Sequence, residues 1–107
     1  MINIIIADDH EIVVEGLHSL LENEEGITIV GEAYNGEEVI PLLESNAVDV
    51  AVLDISMPKM DGIDLTKFIK SNSPKVKILI LTMHNEIGFI RRIIEAGVTE
   101  DECVQLP

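Results

Sequence analysis

The feature that most constrains this chain is the alternation of two hydrophobic periods. Short, nearly unbroken apolar runs recur at Ile2–Ala7, Ile27–Ala33, Val48–Leu53 and Val76–Leu81. Between them lie stretches whose apolar residues fall every three or four positions. An apolar run of this length that does not alternate with polar residues suits a strand buried on both faces. The intervening stretches suit helices that lay one apolar stripe on a core. Alternation of the two predicts an α/β fold in which a parallel sheet is covered by helices on both faces, a doubly wound arrangement.

The first helix is expected over Glu11–Glu22, with Val13, Leu17, Leu20 and Leu21 inward. For the second, Asn35 is the N-cap, and Glu37 and Glu38 sit in the first turn, where the helix dipole favours negative charge. It runs to about Ser45 with Val39, Leu42 and Leu43 inward. Pro41 lies inside it and is expected to bend or shorten it, because proline supplies no backbone N–H. A third helix opens at Asp61 or Gly62, buries Leu65, Phe68 and Ile69, and ends near Asn72-Ser73-Pro74. A fourth spans Glu86–Ala96 with Ile87, Ile90 and Ile94 inward, and Gly97 follows as its C-cap.

Composition narrows the class of protein. The 107 residues are enough for one domain, and hydrophobic residues make up 47% while aromatics make up 3%, so the core is aliphatic. One cysteine, Cys103, excludes an intrachain disulfide and any zinc site built from several cysteines. No apolar run approaches the ~20 residues of a membrane span. A cytoplasmic setting is expected. The net charge of −13 argues against direct binding of nucleic acid, which needs clustered Lys and Arg. It favours cations and basic partner surfaces.

Part of that charge is concentrated. Asp8 and Asp9 follow the first apolar run, and Asp54 follows the third. In open parallel sheets, ligands bind beyond the carboxyl ends of strands, where the strand order reverses. If the first and third strands are neighbours, three carboxylates share one crevice. Two unit charges about 4 Å apart repel by roughly 4 kcal/mol at an effective dielectric near 20. A hard divalent cation, Mg2+ above all, relieves that repulsion. His10 and His84 border the same crevice and allow a transition-metal site as an alternative. An aspartate at the first helix start also has a purely structural reading as an N-cap.

These residues resemble bacterial response-regulator receiver domains. The match rests on Asp8-Asp9-His10 after the first strand, Asp54-Ile55-Ser56-Met57-Pro58 after the third, Gly62 eight residues beyond Asp54, and Thr82 ending the fourth strand. Ile-Ala-Asp-Asp-His, Tyr-Asn-Gly-Glu-Glu and Leu-Thr-Met-His resemble the subgroup whose receivers precede a helix-turn-helix DNA-binding domain. The resemblance implies a flavodoxin-like fold. It implies that Asp54 accepts a phosphoryl group from a sensor histidine kinase and that Asp8, Asp9, Asp54 and the Ser56 backbone carbonyl hold Mg2+. It also implies that the Thr82 hydroxyl contacts the phosphoryl group and couples it to the following loop. The chain would act as a signalling phosphoacceptor rather than an enzyme in its own right.

The resemblance covers residues 1–99, and residues 100–107 form an atypical acidic tail. Receivers continue into a fifth strand, which carries an aromatic residue and then a lysine, and a fifth helix. Register without gaps places Asp101 and Val104 at those two positions. The expectation is therefore a sheet without a regular fifth strand or fifth helix, with self-association through the exposed edge of the fourth strand. A short strand at Cys103–Leu106 is the alternative. The absent lysine also motivates a second function, a degenerate receiver that works as a phosphorylation-independent interaction module. A metal-dependent phosphohydrolase fits less well, because Ser56 stands where a second acid/base carboxylate is needed.

Overall fold

A computed structural model describes residues 1–54, 62–82 and 103–105. Its elements run β1 (Ile2–Ala7), α1 (Glu11–Leu21), β2 (Ile27–Ala33), α2 (Gly36–Ser45), β3 (Val50–Asp54), α3 (Gly62–Asn72), β4 (Lys77–Thr82) and β5 (Cys103–Gln105). All pairings are parallel, and the order is β2-β1-β3-β4-β5. The order reverses between β1 and β3, which makes these two neighbours and puts the ends of both at the switch point.

Two apolar layers flank the sheet. On one side Ile5, Ala7, Ala51, Leu53, Ile78 and Ile80 meet Val39 of α2 with Leu65 and Ile69 of α3. On the other, Ile4, Ile6, Val52 and Leu81 meet Val14, Leu17 and Leu21 of α1. Each fully buried Ile or Leu contributes about 1.5–3 kcal/mol relative to its exposed state. This two-sided burial is why the strands read as unbroken apolar runs.

The inward face of α1 differs from the expected one. Val14 is wholly buried, whereas Leu20 is 71% exposed and Ile12 84%. The core-facing stripe is Val14, Leu17 and Leu21, rotated from the expected set so that Leu20 leaves the interface. The faces of α2 and α3 are as expected, with Leu42, Leu43 and Phe68 packed against the core. Thr66, 1% exposed, is also buried in α3.

Pro41 does not end α2, which continues through it to Ser45. The proline is the sixth of ten helical residues, and the N-terminus is secured independently. The Asn35 side chain accepts the Glu38 N–H at 3.0 Å, and Glu38 Oε1 accepts the Tyr34 N–H at 2.9 Å. These reciprocal bonds satisfy backbone donors that a helix start leaves open.

β2 is not a uniform edge. Its register with β1 runs Ile4↔Ile29 and then Ile5↔Gly31, so Val30 is an extra residue in a bulge. Gly31 lies under α2. A Cβ there would sit 2.6 Å from Leu42 Cδ2, so glycine is what lets α2 approach the sheet.

At the opposite edge, the expectation of no regular fifth strand is corrected. β5 pairs with β4 through Ile80↔Cys103, Leu81↔Val104 and Thr82↔Gln105. Cys103-Val104-Gln105 carries no charge and includes a β-branched residue, unlike the acidic residues before it, so it suits a short strand. It occupies the β4 edge over Ile80–Thr82, where self-association was expected. The fourth helix over 86–96, its Gly97 cap, the Ser56–Pro58 loop, His84 and any fifth helix lie outside the described residues.

Candidate functional site

The site forms because β1 and β3 are adjacent and end together. Ile4↔Val50 through Ala7↔Leu53 is continuous register, so Asp8 and Asp54 each follow the last pair on their own strand. Asp8 is held from the other side too: its N–H donates to the Ala33 carbonyl of β2 at 3.0 Å. The β1–α1 turn then brings Asp9 and His10 round to the same place. One ligand atom from each of Asp8, Asp9, His10 and Asp54 lies within 4.8 Å of the others.

Burial grades across this cluster. The Asp8 side chain is 5% exposed, Asp54 15%, Asp9 32% and His10 66%. His10 Nδ1 lies 2.8 Å from Asp8 Oδ1, 3.0 Å from Asp9 Oδ1 and 3.9 Å from Asp54 Oδ2. The imidazole thus stands over the acids where positive charge is favoured. Its pKa is raised above the ordinary 6.5, first by the hydrogen bond to Asp8, then by the charges of Asp9 and Asp8, with partial desolvation opposing and Asp54 adding a smaller push.

Asp8 also accepts the backbone N–H of His10 at 2.8 Å. Neither Asp8 nor Asp9 is the N-cap of α1; that position is His10, which makes no side-chain capping bond. The capping explanation for the acid pair is therefore not what the fold uses. The chemistry of the donors is hard carboxylate oxygen, the set that Mg2+ and Ca2+ take, joined by one imidazole nitrogen that borderline transition ions accept. His10 was legible only as a histidine bordering the crevice; its place among the carboxylates comes from the turn after β1.

Thr82 ends β4. Its strand neighbour Leu81 is the register partner of Asp54, so the Thr82 backbone stands one residue past the acid on the adjacent strand. Ser56 and His84 fall outside the described residues. Val104 lies in β5 opposite Leu81.

Comparison with known proteins agrees with this architecture. The family described as response regulator receiver domain matches residues 4–101. The response regulator UvrY of Escherichia coli K12 is 41% identical over 97 residues, covering 91% of this chain and 44% of UvrY. The isolated receiver domain of RcsB from Salmonella enterica serovar Typhimurium, solved with the phosphomimetic BeF3−, superposes with a TM-score of 0.84. It is 37% identical and covers 91% of this chain and 72% of that one. RcsB bound to the promoter rprA superposes with a TM-score of 0.83 at 37% identity, over 92% of this chain and 82% of that one. The chain spans less than half the length of UvrY. With the parallel 2-1-3-4-5 sheet and an acidic cluster at its switch point, this chain belongs to the response regulator receiver domain family.

Proposed function

We propose that this receiver domain takes a phosphoryl group on Asp54 from a sensor histidine kinase, with Mg2+ held by Asp8, Asp9, Asp54 and the Ser56 carbonyl. The observation that carries the reading is the convergence of Asp8, Asp9 and Asp54 from two neighbouring strand ends within 4.8 Å. In this reading one strand end supplies the nucleophile and its neighbour supplies cation ligands.

An Asp54 carboxylate oxygen attacks phosphorus, the new O–P bond forms, and the P–N bond to the donor imidazole breaks. The departing nitrogen keeps the electron pair. The burden on the protein is mainly electrostatic, because a dianion must approach an acidic pocket. Bound Mg2+ would supply the positive charge that offsets the carboxylates and steadies the transferring group. Asp8, fixed by its Ala33 hydrogen bond, holds the deepest carboxylate in place. His10 must give up its position against the acids when a cation enters. Thr82, which ends the adjacent strand, would donate its hydroxyl to the phosphoryl group and so report it to the segment beyond β4.

The RcsB receiver with BeF3− supports phosphorylation as the input, and the promoter complex of RcsB supports transcriptional control as the output. DNA contact then belongs to a separate output domain, since this chain carries a net charge of −13. Among the described residues no helix is long and apolar enough to cross a membrane, and a cytoplasmic location fits the proposed role. Incubation with acetyl phosphate and Mg2+ tests the proposal. Labelling of the wild type and loss of labelling in Asp54→Ala are expected; equal labelling of both ends the role of Asp54.

One observation favours a second reading. The gap-free register places Val104 at the position of the family lysine, and Val104 lies in β5. Without that ammonium a phosphoryl dianion lacks one charge-assisted partner. A degenerate receiver would bind the cation but take up little phosphate. Labelling that appears only in Val104→Lys is the result that selects it.

A further inference from the structure

The end of the sheet where the strands begin, opposite the acidic pocket, carries a charge pattern that phosphoacceptor function does not use. Glu22, Glu24 and Glu25 are exposed before β2. The Gly26 carbonyl accepts the Ile2 N–H at 2.7 Å, which ties this acidic turn to the start of β1. On the other side, Lys75 and Lys77 line an open cleft with Met1, Ile2, Asp49 and Val50. The strand order β2-β1-β3-β4 separates the two charge groups by three strand spacings, about 14 Å. Between them Ile2 is 47% and Met1 83% exposed.

The centre of this end is pinned. Asn3 donates its N–H to Asp49 Oδ2 at 2.7 Å and its side-chain amide to the Ala47 carbonyl at 2.7 Å. The Asp49 N–H donates back to the Asn3 carbonyl at 2.8 Å, and the Lys77 N–H donates to the Asp49 carbonyl at 2.9 Å. Asp49 is exposed, with one carboxylate oxygen on the Asn3 N–H and a place in the cleft beside Lys75 and Lys77 that offsets part of their charge. An acidic side, a middle of Met1 and Ile2 with Asp49 beside them, and a basic side are held in a fixed row.

Such a row is self-complementary. A two-fold axis passing between β1 and β3 sets the acidic start of β2 on one copy against the basic start of β4 on the other, twice. It also brings the two Ile2 side chains together. That reciprocity is what an isologous contact requires. A partner of one sign would match one half of the row and be repelled by the other. We propose that this chain forms a weak two-fold dimer through the N-terminal ends of its strands. The contact leaves the acidic pocket at the far end open and does not use the β4 edge. The net charge of −13 opposes association at low salt. Near physiological ionic strength the screening length is about 8 Å, so long-range repulsion fades while contacting pairs persist.

Sedimentation of the 107-residue chain from ~10 μM to ~1 mM, the range of a weak interface, tests this. Average mass is expected to rise towards twice the monomer. Two variants separate this surface from any other: Glu24→Lys with Glu25→Lys, and Lys75→Glu with Lys77→Glu. Each alone juxtaposes like charges and is expected to dissociate at least roughly tenfold more readily. An equimolar mixture restores opposite pairing at both contacts and is expected to recover the dimer mass. Far-UV circular dichroism checks that both variants are folded. A wild type that stays monomeric throughout overturns the proposal. So does association that neither variant changes, or a mixture that fails to recover.

Discussion

Asp54→Asn should make the metal-free protein more stable, although it removes the central residue of the proposed function. Ligand atoms of Asp8, Asp9 and Asp54 lie within 4.8 Å of one another. Two unit charges at that separation repel by about 3.5 kcal/mol at an effective dielectric of about 20, and by about 0.9 kcal/mol at that of water. Removing the Asp54 charge relieves two such repulsions. His10 already offsets part of them, and Asp9 is partly solvated. A net gain of about 1–2 kcal/mol is expected, a rise in Tm of about 5–15 °C for a domain of this size. Thermal unfolding in EDTA measures it. Adding Mg2+ at 100 times its Kd should stabilise the wild type by about 2.7 kcal/mol and the variant much less. NaCl in EDTA should narrow the gap between the two by screening. A variant less stable than wild type in EDTA would refute the reasoning, as would an equal response of both proteins to Mg2+.

Other expectations follow from the same geometry. Gly31→Ala forces Leu42 to move, since the added Cβ meets Cδ2 at 2.6 Å; urea unfolding should show a loss of about 1–3 kcal/mol. In EDTA, His10 should titrate above its ordinary 6.5, and Mg2+ should shift its NMR titration downward by taking the carboxylates. Because the folded pKa is the higher one, the His10 contribution is full below about 6.5 and is lost as pH rises through the folded value. Metal-free stability attributable to His10 should therefore fall across that window, and a pH–stability slope unchanged in His10→Ala would count against it. Leu20→Ala, on the exposed side of α1, should change stability by less than about 0.5 kcal/mol. Leu65→Ala, at a wholly buried position, should cost about 2–5 kcal/mol; similar losses for both would reject the observed orientation of α1.

The sheet and its pocket were legible because parallel strands buried on both faces leave unbroken Ile and Val runs that acids terminate abruptly. The placement of Asp8, Asp9 and Asp54 followed from strand ends alone, once β1 and β3 were neighbours. The face of α1 was not legible for a definite reason. Ile12, Val13, Val14, Leu17, Leu20 and Leu21 satisfy helical spacing in more than one rotation, and only packing on Ile4, Ile6 and Val52 chooses among them. Proline is costly in a helix interior, yet the Asn35–Glu38 bonds and the buried Val39 hold this helix to Ser45, the end expected from the sequence. β5 was obscured by the acidic residues before it. The approach of His10 to the acids depends on turn geometry that residue spacing does not encode.

The bulge in β2 sets which side of the sheet each of its residues serves. Before it, Ile27 and Ile29 face the α1 layer. After it, Ala33 joins the α2 layer with Ala7, while Glu32 lies within reach of His18 on α1. If Val30 were paired in regular register instead of bulged, odd-numbered positions would stay on one side throughout, because strand side chains alternate with period two. Val30 therefore works as a phase shift in the residue count. Deleting it would straighten the ladder and leave Gly31, Glu32 and Ala33 on their present faces, opposite their present β1 partners. The Ala33 carbonyl that anchors Asp8 would keep its place. A one-residue deletion at this point of the edge strand would therefore leave the acidic pocket as it is, by counting alone.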